Sequence, residues 1–329
     1  MARLRTIYLS DLQRKNMRST ASTWTAASSA TSRTGPSASG RRQRSPIKSS
    51  HDLERLARPV RFSEYSELRR DLPHDLRDLN RRLLGLCRNR GVLPSSLREQ
   101  LLEKDESLDD EFYFAEVTVR NTEADPSLDD PSRELESLES IMQSASHCYR
   151  YSASEAAWNQ KPEPIPTAQP LDQLLPANVT SGLTVGSKMV DYALLMLPGP
   201  NCVLRDAISR QLDREPQTIN QPMYEILREH PIALSIEMKQ DPGADETCHQ
   251  LSVWTSAWHA RTRTLMLEHA TDDEGLAPRV ISLPLLYAHG HVWRLFFAVD
   301  RGDAIDMIEF PDGLVATNVL QEYKLLATL

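Results

Sequence analysis

Leu76, Leu79, Leu83 and Leu86 recur at three- and four-residue steps through 72–86 (LPHDLRDLNRRLLGL). That spacing gathers apolar side chains on one face and predicts a helix. Gly91 and Pro94 close it, and Ser95 and Ser96 stand where they can cap a second helix running through Leu102. An acidic stretch follows over 103–111, then a short strand-like run over 112–119. Residues 132–142 read as another amphipathic helix, with Leu135, Leu138 and Ile141 or Met142 on one face. Beyond Ser152 the pattern changes. Residues 178–185 and 187–197 have strand character on either side of Gly186, which predicts a hairpin. Residues 231–239 predict a third strand. Residues 245–269 predict a long helix carrying Val253, Trp254, Ala257, Trp258 and Leu265. Residues 281–287 and 292–299 predict two strands about a His289-Gly290 turn, and a last strand or helix pair closes the chain. Helices, then strands, a helix and strands again describe an α/β fold: a mixed sheet covered by helices.

Charge divides the chain further. Over 329 residues there are 38 Lys and Arg against 46 Asp and Glu, a net of −8, but residues 1–50 alone carry +9. Residues 51–144 carry −8 and residues 145–329 carry −9. The first block is rich in Ser, Thr and Ala and has few bulky residues besides Trp24. It cannot bury enough apolar surface to offset its ordering entropy, so it reads as a disordered basic tail. Within it, Gly40-Arg-Arg-Gln-Arg-Ser-Pro-Ile-Lys48 has the form of a nuclear-import signal, with a solvated tail without an address as the plainer reading. A mitochondrial transit peptide fits less well, because the basic residues cluster late.

Gly is scarce, at 12 residues, and no P-loop, GxSxG, HExxH or GxGxxG sequence occurs. Nucleotide kinases, serine hydrolases, zincins and dinucleotide enzymes are therefore poorly supported. Cys87, Cys148, Cys202 and Cys248 are widely spaced, and no secretory leader precedes them, which points to reduced thiols and an intracellular protein. The longest apolar runs, such as 193–197, are far too short to span a membrane.

Chemistry concentrates in Ile232-Ala-Leu-Ser-Ile-Glu-Met-Lys239. A period of two sends Ile232, Leu234, Ile236 and Met238 to one face and Ala233, Ser235, Glu237 and Lys239 to the other. A carboxylate and an ammonium thus emerge side by side at a strand end. Asp191 is the lone acid in the apolar run Ser187-Lys-Met-Val-Asp-Tyr-Ala-Leu-Leu-Met196. A buried carboxylate is costly without a partner or a metal. The plainer reading is a buried Asp191–Lys239 ion pair, although such pairs often add no net stability.

An Asp on one strand and Glu-x-Lys on the next resembles the PD-(D/E)XK nuclease superfamily. More closely, the chain resembles the fungal PD-(D/E)XK nuclease-like domain family. The segments that carry this are SEAAWN at 154–159, SKMVDYALLM at 187–196, PIALSIEMK at 231–239, HQLSVWTSAWHAR at 249–261 and HGHVWRLFFA at 289–298. Residues 72–94 are similar to the helical region that precedes that domain. The resemblance implies a restriction-endonuclease-like mixed sheet flanked by helices over 145–329, after a helical region over 51–144. It implies Asp191, Glu237 and an additional acid, Glu155, as ligands of Mg²⁺, with Mn²⁺ as a substitute. It implies Lys239 as the residue that orients or helps deprotonate the attacking water, and Gln250 as a polar neighbour of the site. The implied activity is a nuclease whose partner is nucleic acid, DNA in particular.

Several of these residues have plainer readings. Glu155 closes the capping-box pattern Ser152-Ala-Ser-Glu155, and Gln250 could be a polar helix residue. His289 and His291 fit a turn better than a metal site, and Trp254 and Trp258 fit a core. One departure stands out: Pro162, Pro164, Pro166 and Pro170 follow SEAAWN at once, where the family's helix runs on.

Overall fold

The computed structural model describes residues 50–115, 131–150, 169–177, 179, 182, 184–239, 244–268, 279–311 and 313–328. Its strands are β1 (Val60–Ser63), β2 (Tyr192–Leu195), β3 (Ile232–Lys239), β4 (Leu283–His289), β5 (Val292–Asp300), β6 (Ile305–Glu309) and β7 (Leu314–Val315). They form one mixed sheet in the order β1-β6-β5-β4-β3-β2, with β7 also paired to β5. β1 with β6 and β3 with β4 are parallel, and the other pairs are antiparallel.

The helices are α1 (Ser50–Glu54), α2 (Tyr65–Arg70), α3 (Arg77–Cys87), α4 (Arg98–Lys104), α5 (Pro131–Arg150), α6 (Val203–Leu212), α7 (Glu225–Arg228), α8 (Ala244–Glu268) and α9 (Val319–Thr328). α8 lies on one face of the sheet, where Trp254 and Trp258 pack with Leu285, Tyr287, Phe296 and Ala298. α3 lies on the other, where Leu76 and Leu83 meet Leu234, Leu286, Leu295 and Phe297. The alternation along β4 and β5 is what sends one set of side chains to each helix. A third cluster joins Leu93, Leu97, Leu101, Leu108 and Leu135 to Leu320 and Tyr323 of α9. The region before residue 145 therefore supplies an edge strand, a covering helix and the seat for the C-terminal helix.

The expected strand at 231–239, the helix at 245–269 and the turn at His289-Gly290 appear within a residue or two, and Gly290 takes φ +56° in that turn. Other expectations are corrected. Among the described residues no hairpin forms about Gly186: β2 is only Tyr192–Leu195 and pairs with β3, while Ala177 and Thr184 make a single bridge. The Ser95 hydroxyl does not cap a helix but bonds the Ala115 carbonyl, with Ser95–Leu97 as a 3₁₀ turn. In the strand-like run at 112–119, Glu111–Tyr113 is a 3₁₀ turn and Phe114 bridges Leu93, while 116–119 lie outside the described residues. On α5 the inward residues are Leu135 and Leu138, and Ile141 is 41% exposed.

Ile232 also departs from the alternation. The β2–β3 register runs Leu194↔Leu234 and then Leu195↔Ile232, which leaves Ala233 as a bulge. One extra residue reverses the face of everything beyond it. Ile232 and Leu195 accordingly join the α8 side, whereas Leu234, Ile236 and Met238 stay on the α3 side. Cys87, Cys202 and Cys248 form no disulfide, and among the described residues no helix is long and apolar enough to cross a membrane.

Candidate active site

Beyond the bulge the alternation of β3 holds, so Ser235, Glu237 and Lys239 all face α8. Trp254 fixes that orientation, because its indole Nε1–H donates to Ser235 Oγ at 3.0 Å with both residues fully buried. Two residues further along, the Glu237 side chain has no exposure, and Lys239 Nζ stands 2.7 Å from its Oε1. The Lys239 side chain is 25% exposed, so its ammonium covers the carboxylate from the solvent side. Beside the plainer reading of an Asp191–Lys239 ion pair, the strand's own i, i+2 geometry gives the Lys239 ammonium a carboxylate in Glu237.

Asp191 immediately precedes β2, whose Tyr192 pairs with Ile236. Continuing that antiparallel register one residue sets Asp191 opposite Glu237. The Asp191 carboxylate reaches across to β3, where its Oδ2 accepts the Met238 backbone N–H at 2.7 Å. Gln250, near the start of α8, donates from Nε2 to the Met189 carbonyl at 2.6 Å and so ties the approach to Asp191 to the helix. The fold thus brings together Asp191, Glu237, Lys239 and Gln250, from β2, β3 and α8. Glu155 and the proline-rich stretch at 162–166 lie outside the described residues.

The parallel neighbour β4 adds residues that the sequence did not single out. Tyr287 pairs with Glu237 and His289 with Lys239. Tyr287 is buried, and burial raises its hydroxyl above the ordinary phenol range against the opposing effect of a hydrogen bond with the Thr247 side chain. Next along, Arg294 pairs with Tyr287 across β4–β5 and holds Glu309 with both Nε and Nη2, at 2.6 and 3.0 Å. Nothing in the local pattern of β4 marks Tyr287. Its place beside Glu237 follows from strand order and register, which composition does not encode. Of the two turn histidines, His291 faces the Ala316 carbonyl at 3.0 Å through Nδ1, and Trp254 and Trp258 are core as expected.

Among the described residues no group of three or more His, Cys, Asp or Glu is placed to hold a metal ion. Asp191 and Glu237 supply two carboxylates at facing positions, a hard oxygen donor set of the kind Mg²⁺ takes with several waters retained. These residues fit that ion, with room in the coordination shell for a further acid.

A mixed sheet with helices on both faces and an acidic, lysine-bearing strand end is a restriction-endonuclease-like architecture. The model of the PD-(D/E)XK nuclease superfamily matches residues 161–329, just over half of the chain, and the chain belongs to that superfamily. The match takes in Asp191, Glu237, Lys239 and Gln250, while 72–94 and 154–159 precede it. Membership implies nuclease chemistry and nucleic-acid binding in general, and members generally use divalent metals. No curated protein and no solved structure matches the chain.

Proposed function

We propose that this protein is a Mg²⁺-dependent phosphodiesterase that cleaves nucleic acid, with DNA as its substrate class. The observation that carries this reading is the Glu237–Lys239 pair at 2.7 Å, with the Asp191 carboxylate bonded to the intervening residue. Two carboxylates and an ammonium converge at one strand end, although pairing buried charges is a poor route to stability.

In this reading Asp191 and Glu237 hold the cation, with Glu155 as the additional acid and Mn²⁺ as a substitute. The cation would acidify a bound water and offset charge on the phosphate. Lys239, reaching solvent beside Glu237, orients the water and offsets charge on the phosphate oxygens. Gln250 keeps the segment before Asp191 seated on α8, so that the carboxylate stays aimed at β3. Tyr287 and Thr247 hold α8 against the strand that flanks Glu237. The catalytic unit spans 145–329, and the basic tail at 1–50 supplies attraction to phosphate that the acidic remainder lacks. The run at 40–48 directs the protein to the nucleus.

The acidity of 145–329 favours a second reading, a nuclease fold that binds without turnover. Single- and double-stranded DNA incubated with the purified chain, in Mg²⁺ and in EDTA, separates the two. Cleavage in Mg²⁺ alone supports the enzyme, and binding with no cleavage in either supports the module.

A further inference from the structure

At the end of the sheet away from Lys239, a second charged cluster is built around Asp300. β5 runs from Val292, beside the His289 turn, to Asp300. At about 3.4 Å per residue the two ends of β5 are roughly 27 Å apart. The Asp300 side chain is fully buried and accepts from Arg58 Nη2, from Arg263 Nη2 (2.9 and 3.1 Å) and from the backbone N–H groups of Val280 (3.0 Å) and Gly302 (2.7 Å). A carboxylate offers about four lone-pair sites, so Asp300 is saturated.

The donors around it are not. Arg58 Nε and Nη1, Arg263 Nε, and both ring nitrogens of His259 are buried and have no hydrogen-bond partner among the described residues. His259, on α8, has no exposure at all, while the Arg58 and Arg263 side chains are 19% and 32% exposed. Asp303 offsets part of the Arg58 charge, but the hydrogen-bonded acid, Asp300, is one carboxylate shared by two guanidinium groups. Each depresses the protonation of His259, and burial does so most, to a pKa of about 3. The imidazole is therefore neutral at pH 7 and offers one N–H donor. Buried donors without acceptors are costly, and a forked guanidinium is the group that best matches an oxyanion.

We propose that Arg58, Arg263 and His259 form an oxyanion site, distinct from the Glu237–Lys239 end, that takes a phosphate group. Asp300 holds the two guanidinium groups in place, and the partial exposure of both arginines gives the ligand its way in. Arg279, whose Nε donates to the Asp300 carbonyl at 2.7 Å, stands at the rim. The phosphate is either inorganic or the terminal phosphate of a nucleic-acid strand, since both present the same oxygens.

Thermal melts of the full chain in EDTA test this, with orthophosphate compared against NaCl at equal ionic strength. At phosphate about tenfold above its dissociation constant, wild type should melt roughly 2–4 °C higher. Arg263→Met and His259→Phe should lose that rise. Arg263→Lys, which keeps the charge but not the fork, should bind about tenfold more weakly, and it decides the matter if Arg263→Met does not fold. Oligonucleotides with a 5′-phosphate or a 5′-hydroxyl identify the source: a difference of at least about tenfold in affinity that Arg263→Lys abolishes means a strand terminus, and equal affinity means inorganic phosphate. A wild type indifferent to phosphate, or an equal rise in all variants, overturns the proposal.

Discussion

Lys239 Nζ lies 2.7 Å from the carboxylate of Glu237, a side chain with no exposure two residues back on the same strand. The buried acid is thus covered by a cation whose own side chain remains a quarter exposed. Losing that cation leaves the buried carboxylate without its ammonium, whereas losing both removes the charges together. Lys239→Met should destabilise the fold by about 3–5 kcal/mol, and adding Glu237→Gln should restore most of the loss. Urea denaturation of wild type, both single variants and the double variant measures the coupling, and strictly additive losses would remove the pair from the account.

Asp191 accepts a backbone N–H, that of Met238, through its Oδ2. An Asn side chain still accepts that bond, so Asp191→Asn should shift metal-free stability by no more than about 0.5 kcal/mol. It should abolish stabilisation by Mg²⁺. For a dissociation constant of about 1 mM, roughly 10 mM Mg²⁺ should add about 1.4 kcal/mol to wild type, a rise of about 2–4 °C. Melts with EDTA and with Mg²⁺ check both halves.

Two buried groups give the stability opposite dependences on pH. His259 is held near 3, chiefly by burial, against an ordinary 6.5. The unfolded chain binds that proton first, so the His259 contribution is present above pH 6.5 and is lost as pH falls from 6.5 towards 3. Glu322 on α9 is raised by burial from 4.5 to about 7. Its contribution is full below pH 4.5 and is lost as pH rises through 7. Between pH 4.5 and 6.5 the two slopes oppose each other, each limited to about 1.4 kcal/mol per pH unit. His259→Phe should therefore turn a nearly flat profile into one that falls with rising pH over this window, and Glu322→Gln into one that rises. Denaturant midpoints from pH 4 to 8 test the signs.

Deleting residues 1–50 should leave the melting temperature of the folded part unchanged. It should flatten the salt dependence of DNA binding, because each phosphate contact contributes a slope of about −0.9 in log K against log salt. The same slope in the full and shortened chains would remove the tail from DNA binding.

Much of the site's frame was legible in the sequence. From Leu234 onward β3 alternates apolar with polar or charged residues, α8 is a long uninterrupted helix, and the β4–β5 turn is marked by His289-Gly290. Where the signal was short or two-dimensional, the reading failed. β1 has four residues with only Val60 buried, and Phe62 is 42% exposed, so no apolar period announces an edge strand. The bulge at Ala233 depends on pairing with Leu194 and Leu195, which one strand's sequence does not contain. The place of Tyr287 beside Glu237 likewise follows from strand order and register.

The central claim is that the strand end bearing Glu237 and Lys239 cleaves phosphodiesters. Single-turnover cleavage of end-labelled single- and double-stranded DNA, with Mg²⁺ and with EDTA, tests it most directly when wild type is run beside Lys239→Ala and Asp191→Asn. The expected result is cleavage by wild type in Mg²⁺ alone, reduced at least about 100-fold in each variant. Equal rates in wild type and Lys239→Ala, or cleavage indifferent to EDTA, would contradict the account.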